Sequence, residues 1–214
     1  MHASEYSPTQ SNRVIFRFTT LIVMAALAGC ATRQSLELPE LGEWEQRRYL
    51  LAQVDDWEFN GRIGVVAGDD GFNGSLRWAQ DGDDFQATVS GPLGIGTVRL
   101  EGDDRRVRLT DNDGNVTVLE DAETDLFLRY GWTIPVSSLR YWALGIPDPA
   151  TPADTDFADN GQLSSLRQGG WTVNISRYGD GGGQPMPTRL SAVSESTKVK
   201  VVIHRWLFFD QPAP

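Results

Sequence analysis

The chain has 214 residues and a formal net charge of −10, from 19 basic and 29 acidic side chains. An acidic balance of this size argues against nucleic-acid binding, which needs a basic face, and against attraction to anionic lipid headgroups. A single cysteine excludes an intramolecular disulfide. The length is sufficient for one domain with a substantial core.

The chain begins with a segment typical of protein export. Two arginines precede the apolar run LIVMAALAG at residues 21–29, which is far shorter than the ~20 residues of a membrane-spanning helix. A positive flank before a short apolar centre predicts a secretory leader. The exit, Leu27-Ala28-Gly29-Cys30, resembles the bacterial lipobox, in which the cysteine receives a diacylglyceryl group and the leader is removed. We expect residues 1–29 to be a leader and residues 30–40 to be a lipidated cysteine with its tether. The alternative is a plain leader followed by an incidental cysteine.

The lipobox resemblance also bears on location. In enterobacterial lipoproteins an aspartate after the cysteine favours retention at the inner membrane, and this chain has Ala31 there, so the resemblance implies the outer membrane. Without residues 1–29 the chain would keep 17 basic and 28 acidic side chains, a net charge of −11. Membrane attachment is therefore expected to come from the lipid and not from charge.

Residues 41–214 are predicted to form a single domain. Apolar residues at helical spacing between Leu41 and Val54 predict an opening helix. Apolar and polar residues then alternate from Trp57 to Val65, and again in further short segments separated by Asp, Gly and Asn turns. This pattern predicts a meander of about six antiparallel strands, up to Val118, with one apolar face.

The middle of the chain predicts two helices. Asp121 can cap the first, which stops at Gly131, and Pro135 can open the second, which ends at Gly145. Residues 147–160 are rich in Pro, Asp and Thr and predict a loop, after which strands resume. We therefore expect a mainly β (α+β) fold. It would be a single curved, incompletely closed antiparallel β-barrel, with helices plugging the mouth and an apolar cavity that can hold fatty chains.

Signatures of catalysis and of metal binding are weak. The only histidines are His2, in the leader, and His204, in a predicted strand, so neither a Ser-His-Asp triad nor a histidine-rich metal site is indicated. The glycine-rich residues 179–183 lack the Lys-Ser/Thr of a phosphate loop and predict a hairpin. Three acidic pairs are better explained as hairpin turns than as a glycosidase dyad: Asp69/Asp70, Asp83/Asp84 and Asp103/Asp104. We expect no enzymatic activity, no cofactor and no metal.

One apolar residue stands out in SGPLGIGTVRL, residues 90–100. Leu93 lies between Pro92 and Gly94, in a turn between two strands. Burial of a leucine contributes roughly 1.5–3 kcal/mol, so an exposed leucine needs an explanation. The residues leave two readings open: a leucine folded onto the barrel rim, or a finger that touches a membrane or a partner.

Several motifs occur in a characteristic order along the whole chain. They are the lipobox, Asn60-Gly61-Arg62, Leu76-Arg77-Trp78, Gly91-Pro92-Leu93-Gly94, LTDNDG at 109–114, IPVSSLRYWALGIP at 134–147 and Pro187-Thr188-Arg189-Leu190. This ordered set resembles the LolB family of outer-membrane lipoprotein receptors. The resemblance implies an open, curved barrel with helices over its mouth, an apolar cavity for acyl chains, and a role for Leu93 in delivering cargo to the membrane. It implies two partners, the periplasmic carrier LolA and acylated lipoprotein cargo.

By this resemblance, the chain would be a lipid-anchored monomer on the periplasmic face of the outer membrane. It would accept lipoproteins from LolA and insert them into the inner leaflet. We hypothesise that acyl chains bind between one strand face and the plug helices, although each candidate is equally well explained as core. The candidates are Phe59, Ile63, Leu76, Trp78, Val89, Val98, Leu139, Trp142 and Leu144. Three alternatives remain: a lipid-anchored lipocalin-like carrier of small apolar ligands, an anchored glycosidase, and a non-catalytic outer-membrane scaffold.

Overall fold

The computed structural model describes residues 35–92, 96–103, 105–131 and 133–209. This part of the chain contains three helices and eleven strands, numbered here in chain order. The helices are α1 (Trp44–Leu51), α2 (Ala122–Tyr130) and α3 (Val136–Leu144). The strands are β1 (Asp56–Ala67), β2 (Asp70–Asp81), β3 (Asp84–Ser90), β4 (Thr97–Gly102), β5 (Val107–Thr110), β6 (Val116–Leu119), β7 (Ala153–Phe157), β8 (Leu163–Gln168), β9 (Trp171–Gly181), β10 (Gln184–Val193) and β11 (Thr197–Phe208).

All eleven strands belong to one antiparallel sheet. Their order is β6-β5-β4-β3-β2-β1-β11-β10-β9-β8-β7, so the first and last strands of the chain are neighbours in the middle of the sheet. Strands β6 and β7 lie at the two edges and do not pair with each other, so the sheet is not closed. The predicted mainly β, incompletely closed antiparallel architecture is confirmed.

Strand β1 shows why the sheet has one apolar face. Its odd-numbered residues from Trp57 to Val65 are buried, whereas the residues between them are more exposed. Successive side chains of a strand point to opposite faces, so the buried set defines the inner face of the sheet. Gly61 pairs with Ile203 and Asn60 with Arg205, which leaves His204 as an extra residue in a β-bulge. Such a bulge bends the strand and increases its twist.

The two predicted central helices are present, and local chemistry fixes their ends. The Asp121 side chain accepts a hydrogen bond of 2.9 Å from the Thr124 backbone N–H at the start of α2. Gly131 and Gly145 adopt left-handed conformations after α2 and α3, which is the usual way for a helix to end. Among the described helices, none is long and apolar enough to cross a membrane.

Two details of the sequence prediction are wrong. Residues 147–160 are not all loop, because β7 lies within them and pairs with β8. β7 is an edge strand in which Asp154, Asp156 and Phe157 are exposed and only Ala153 and Thr155 are half-buried, so it lacks the apolar alternation of a buried strand. The opening helix is also shorter than the apolar spacing predicted, since α1 covers residues 44–51 only. The glycine-rich residues 179–183 form the predicted hairpin, between β9 and β10.

Candidate functional site

The centre of the inner face is an aromatic cluster built by four strands. Neighbouring rings stack or meet edge-on, with ring centroids 5.0 to 6.3 Å apart. Aromatic pairs at these distances add about 0.5–1.5 kcal/mol each beyond their buried area. The cluster consists of Trp57 and Phe59 of β1, Trp78 of β2, Phe85 of β3, and Trp206 and Phe208 of β11, all of them buried.

Helix α3 adds an apolar surface to the same core. Five of its nine residues are buried, and its Trp142 ring lies 6.1 Å from the ring of Trp171 at the start of β9. Leu126 of α2 is fully buried as well. The helices and the inner face therefore contribute to one continuous apolar cluster.

The nine predicted acyl-chain residues all belong to this cluster or pack against it. Seven are almost completely buried, at 1–5% exposure, and two are half-buried. Because protein interiors are close-packed, an acyl chain could lie among these side chains only if helix and sheet separate. The buried set comprises Phe59, Ile63, Leu76, Trp78, Leu139, Trp142 and Leu144, and the half-buried pair is Val89 and Val98.

A polar network holds the end of α3 to the turn between β8 and β9. Gln168 is buried, and its side-chain oxygen accepts hydrogen bonds from the Trp142 indole N–H (2.8 Å) and the Asp148 backbone N–H (3.0 Å). Its amide nitrogen donates to the carbonyls of Asp148 (2.7 Å) and Thr151 (2.6 Å). Ser138 of α3 donates to the Asp148 carboxylate at 2.8 Å. We call these five residues the Gln168 latch.

A cleft of about 470 Å³ follows the boundary between α3 and the sheet. Its walls combine apolar residues of the core, such as Phe85 and Trp171, with charged residues at the rim. Arg140 of α3 reaches Asp83 across the cleft, with 3.8 Å between nitrogen and oxygen. Burial raises the pKa of the Glu123 carboxyl, and the nearby charges of Asp121 and Asp148 raise it further. The cleft is therefore where water and polar groups meet the apolar core.

The chain just before α1 is fixed to the sheet. Ser35 forms a β-bridge with Phe209, and the Leu36 backbone N–H donates to the Phe208 carbonyl at 2.7 Å. The Leu38 backbone N–H donates to the Gly182 carbonyl at 2.6 Å. We call residues 35–39 the strap.

Helix α1 is fixed to the sheet by its inward side chains. Buried Arg47 donates to the Pro185 carbonyl and lies 5.5 Å from the centre of the Tyr178 ring. Burial lowers the pKa of Arg47 and raises the pKa of Tyr178 to about 12. Trp44 packs edge-on against Phe157 of β7, with 5.0 Å between ring centroids.

Three predicted site residues lie outside the described part of the chain: Cys30, Leu93 and Gly94. Pro92 is described and exposed, and it ends the segment that follows β3. The other end of the turn is described from Gly96, just before β4.

Comparison with known proteins identifies the family. The sequence model of the family described as "Outer membrane lipoprotein LolB" matches residues 55–206. The chain belongs to the LolB family. It is 33% identical over 189 residues to the outer-membrane lipoprotein LolB of Nitrosococcus oceani, covering 87% of this chain and 94% of the relative. It is 30% identical over 188 residues to LolB of Francisella tularensis, covering 87% and 91%.

A solved structure supports the fold. The crystal structure of a LolA superfamily protein from Nitrosomonas europaea superimposes with a TM-score of 0.50, covering 75% of this chain and 89% of that one. The sequence identity is only 9%, so this likeness concerns the fold alone. This chain and the LolA superfamily protein thus share a fold over most of their lengths.

Some residues of this LolB family member became evident only from the structure. Gln168 and Asp148 form the latch, and Arg47 and Tyr178 join α1 to the sheet. Nothing in the local sequence marks Gln168 as buried, since it stands beside a Gly-Gly turn. Arg47 and Pro185 are 138 residues apart, a separation at which residue patterns carry no signal.

Proposed function

We propose that this LolB family member receives acylated lipoproteins from LolA and releases them into the inner leaflet of the outer membrane. In this proposal a lipid on Cys30 keeps the protein at the membrane. The acyl chains of the cargo pass between α3 and the inner face of the sheet. The transfer makes and breaks no covalent bond, so no catalytic group is required.

The physical chemistry of the cargo defines what such a receptor must provide. At ~0.8 kcal/mol for each methylene, exposing some 40 methylenes of a triacylated lipoprotein to water would cost roughly 30 kcal/mol. The cargo therefore needs an apolar site in the receptor before the carrier releases it. Transfer between two such sites is nearly isoenergetic and needs no external energy source.

The observation that carries the proposal is the way α3 lies on the sheet. The helix buries five apolar residues in the apolar cluster, whereas the described polar contacts between its side chains and the sheet lie at the Gln168 latch and the cleft. Breaking these few bonds would let α3 move as a unit. The apolar faces thus exposed would be covered at once by the incoming acyl chains, so the loss of packing on opening is offset by cargo burial.

The turn at Leu93 is proposed to act at release. In this proposal Leu93, in the turn predicted from the sequence between β3 and β4, enters the lipid surface, where its side chain leaves water. That step would bring the domain to the bilayer and favour movement of the cargo into the leaflet. The lipid on Cys30 would supply the proximity that makes this contact frequent.

The decisive experiment is a transfer assay. A radiolabelled, triacylated lipoprotein bound to LolA is mixed with the mature protein, and the cargo on each is measured after separation. Movement of cargo onto this protein is the expected result. A folded protein that binds an apolar dye but takes no cargo would refute receptor function and favour a carrier of small apolar ligands.

The role of Leu93 is tested separately with Leu93→Glu. We expect the variant to accept cargo from LolA normally and to insert it into vesicles more slowly. Val66→Glu is the matched control, because Val66 is also exposed, at 54%, but belongs to β1. Insertion by Leu93→Glu at the rate of the control would show that the turn has no part in release.

A further inference from the structure

The outward side of α1 carries an apolar groove that the receptor mechanism does not use. Its volume is about 510 Å³. Tyr49 in the groove is 70% exposed, and Leu41 and Leu50 are half-buried. The groove is lined by Leu41, Glu45, Gln46, Tyr49, Leu50 and Gln53.

The groove carries no unpaired charge, although the chain as a whole is strongly acidic. Glu45 is the only ionisable acid or base among its lining residues apart from the Tyr49 phenol, and it forms an ion pair with Arg48 at 2.8 Å. A tyrosine beside leucines and uncharged amides matches the boundary between headgroups and acyl chains, where the ring leaves water and the hydroxyl stays hydrated.

Helix α1 cannot rotate so that the groove becomes buried. Trp44 and Arg47, on the opposite side of the same helix, are fixed to Phe157 and Pro185 of the sheet. Rotation of α1 would expose buried Arg47 to water and break the ring contact of Trp44. The groove therefore faces outward for as long as the domain is folded.

The position of the groove in the chain brings it close to the proposed anchor. The strap fixes Ser35 to the sheet, and Ser35 is five positions after Cys30, a reach of at most about 18 Å. The described domain therefore begins within that distance of the proposed lipid, and four residues connect the strap to α1. Because the anchor raises the effective concentration of lipid around the whole domain, a surface of this domain meets lipid far more often than it meets any soluble partner.

The size of the groove also favours lipid over a protein partner. An eight-residue helix is only about 12 Å long, whereas a stable protein interface buries about 800 Å² on each partner. A bilayer contact needs no such area, because the lipid on Cys30 provides the attachment and the groove has only to set the orientation.

We propose that the outward groove of α1 lies on the interface of the outer membrane as a second, non-covalent contact beside the lipidated cysteine. This inference rests on the lipid anchor of the proposed function. The contact fixes which side of the anchored protein faces the bilayer before cargo arrives. The groove matches a zwitterionic phospholipid surface, because it has no net positive charge that would attract an anionic surface.

The experiment places a fluorescent probe in the groove of the lipidated protein. Acylation consumes the thiol of Cys30, so Gln46→Cys provides a single free thiol for the environment-sensitive dye NBD. Glu195→Cys is the matched control, because residue 195 is exposed in the turn between β10 and β11, away from the strap. The proteins are inserted into vesicles of phosphatidylethanolamine and phosphatidylcholine, with and without bromine on the phosphatidylcholine acyl chains.

We expect the probe at residue 46 to shift its emission to the blue and to be quenched by the brominated lipid, while the probe at residue 195 does neither. Adding Tyr49→Glu should abolish the quenching at residue 46, and adding Val66→Glu should leave it unchanged. Both substitutions are at exposed positions, and thermal unfolding of each variant verifies that it folds.

Several results would overturn the inference. A blue shift without quenching would mean that the occupant is not bilayer lipid, for example the protein's own acyl chain. Equal quenching at residues 46 and 195, no change at residue 46, or quenching that survives Tyr49→Glu would each refute an oriented contact.

Mass spectrometry of the same samples reports acylation of Cys30, and its absence would remove both the anchor and this inference. If residue 46 shows no lipid contact while Cys30 is acylated and cargo transfer is normal, the inference is wrong and the proposed function still holds.

Discussion

Two glycines on β1 allow a sharp test of the curvature that shapes the inner face. An ideal Cβ at Gly61 would lie 2.2 Å from the Val202 carbonyl oxygen and 3.1 Å from the Ile203 Cα. Both are backbone atoms of β11, beside the bulge, so no side-chain rotation can relieve the overlap. At Gly64, three residues further along the strand, the nearest atoms to such a Cβ are 4.0 Å away.

The magnitude follows from this geometry. An ordinary contact of 3.4 Å would require β1 and β11 to separate locally by about 1 Å. Overpacking of this kind costs about 1–3 kcal/mol. A domain of this size loses about 2–4 °C of Tm for each kcal/mol, so Gly61→Ala should lower Tm by several degrees. Gly64→Ala should leave Tm unchanged or raise it slightly, because alanine lowers the entropy of the unfolded chain by the equivalent of about 0.4–1 kcal/mol.

Thermal and urea unfolding, followed by circular dichroism, measures both variants under the same conditions. A loss of stability confined to Gly61→Ala would support the close approach of the two strands at the bulge. Equal Tm values for the two variants would refute it, and would mean that β11 lies further from β1 than described.

Three further predictions concern the latch, the cleft and a helix cap. Gln168→Leu leaves buried partners unsatisfied and should cost about 1–3 kcal/mol; it should also increase binding of an apolar dye, whereas Gln86→Leu, at an exposed position, should not. Burial raises the pKa of Glu123 above 4.5 in the folded state, so its contribution to stability is complete below that pH and is lost as the pH rises through the folded-state pKa. Glu123→Gln should remove this loss. If the free energy of unfolding of the variant and of the original protein changes equally with pH from acidic to neutral conditions, the assignment is wrong. Asp121→Ala removes the cap bond to Thr124 and should lower the free energy of unfolding by about 1 kcal/mol in urea titration; no change would mean that the cap contributes nothing.

The sequence was informative wherever one local rule decides the structure. The alternation in β1 follows from having one buried face, and the ends of α2 and α3 follow from a capping aspartate and two glycines. The sequence does not reveal β7, because an edge strand has few apolar neighbours and its residues Asp154 and Asp156 resemble those of a loop.

The candidate site was predictable only in part. Side chains such as Phe59 and Trp142 were correctly placed in the apolar interior, but packing and acyl-chain binding require the same residue types, so sequence cannot separate the two roles. Gln168 could not be found at all, because its partners Asp148 and Thr151 come close only when the sheet brings its turn to the end of α3.

An open sheet has two free edges, and each edge is a template on which a strand of another molecule can add. β6 limits this risk by being only four residues long. β7 carries the exposed carboxylates of Asp154 and Asp156, both within 4 Å of Arg167. A strand of a second copy pairing with this edge would place its own Asp154 and Asp156 near these carboxylates. The net charge of −10 adds a general repulsion between copies, which salt weakens over about 8–10 Å. The acidity that argues against nucleic acid thus also protects an unclosed sheet from edge-to-edge aggregation.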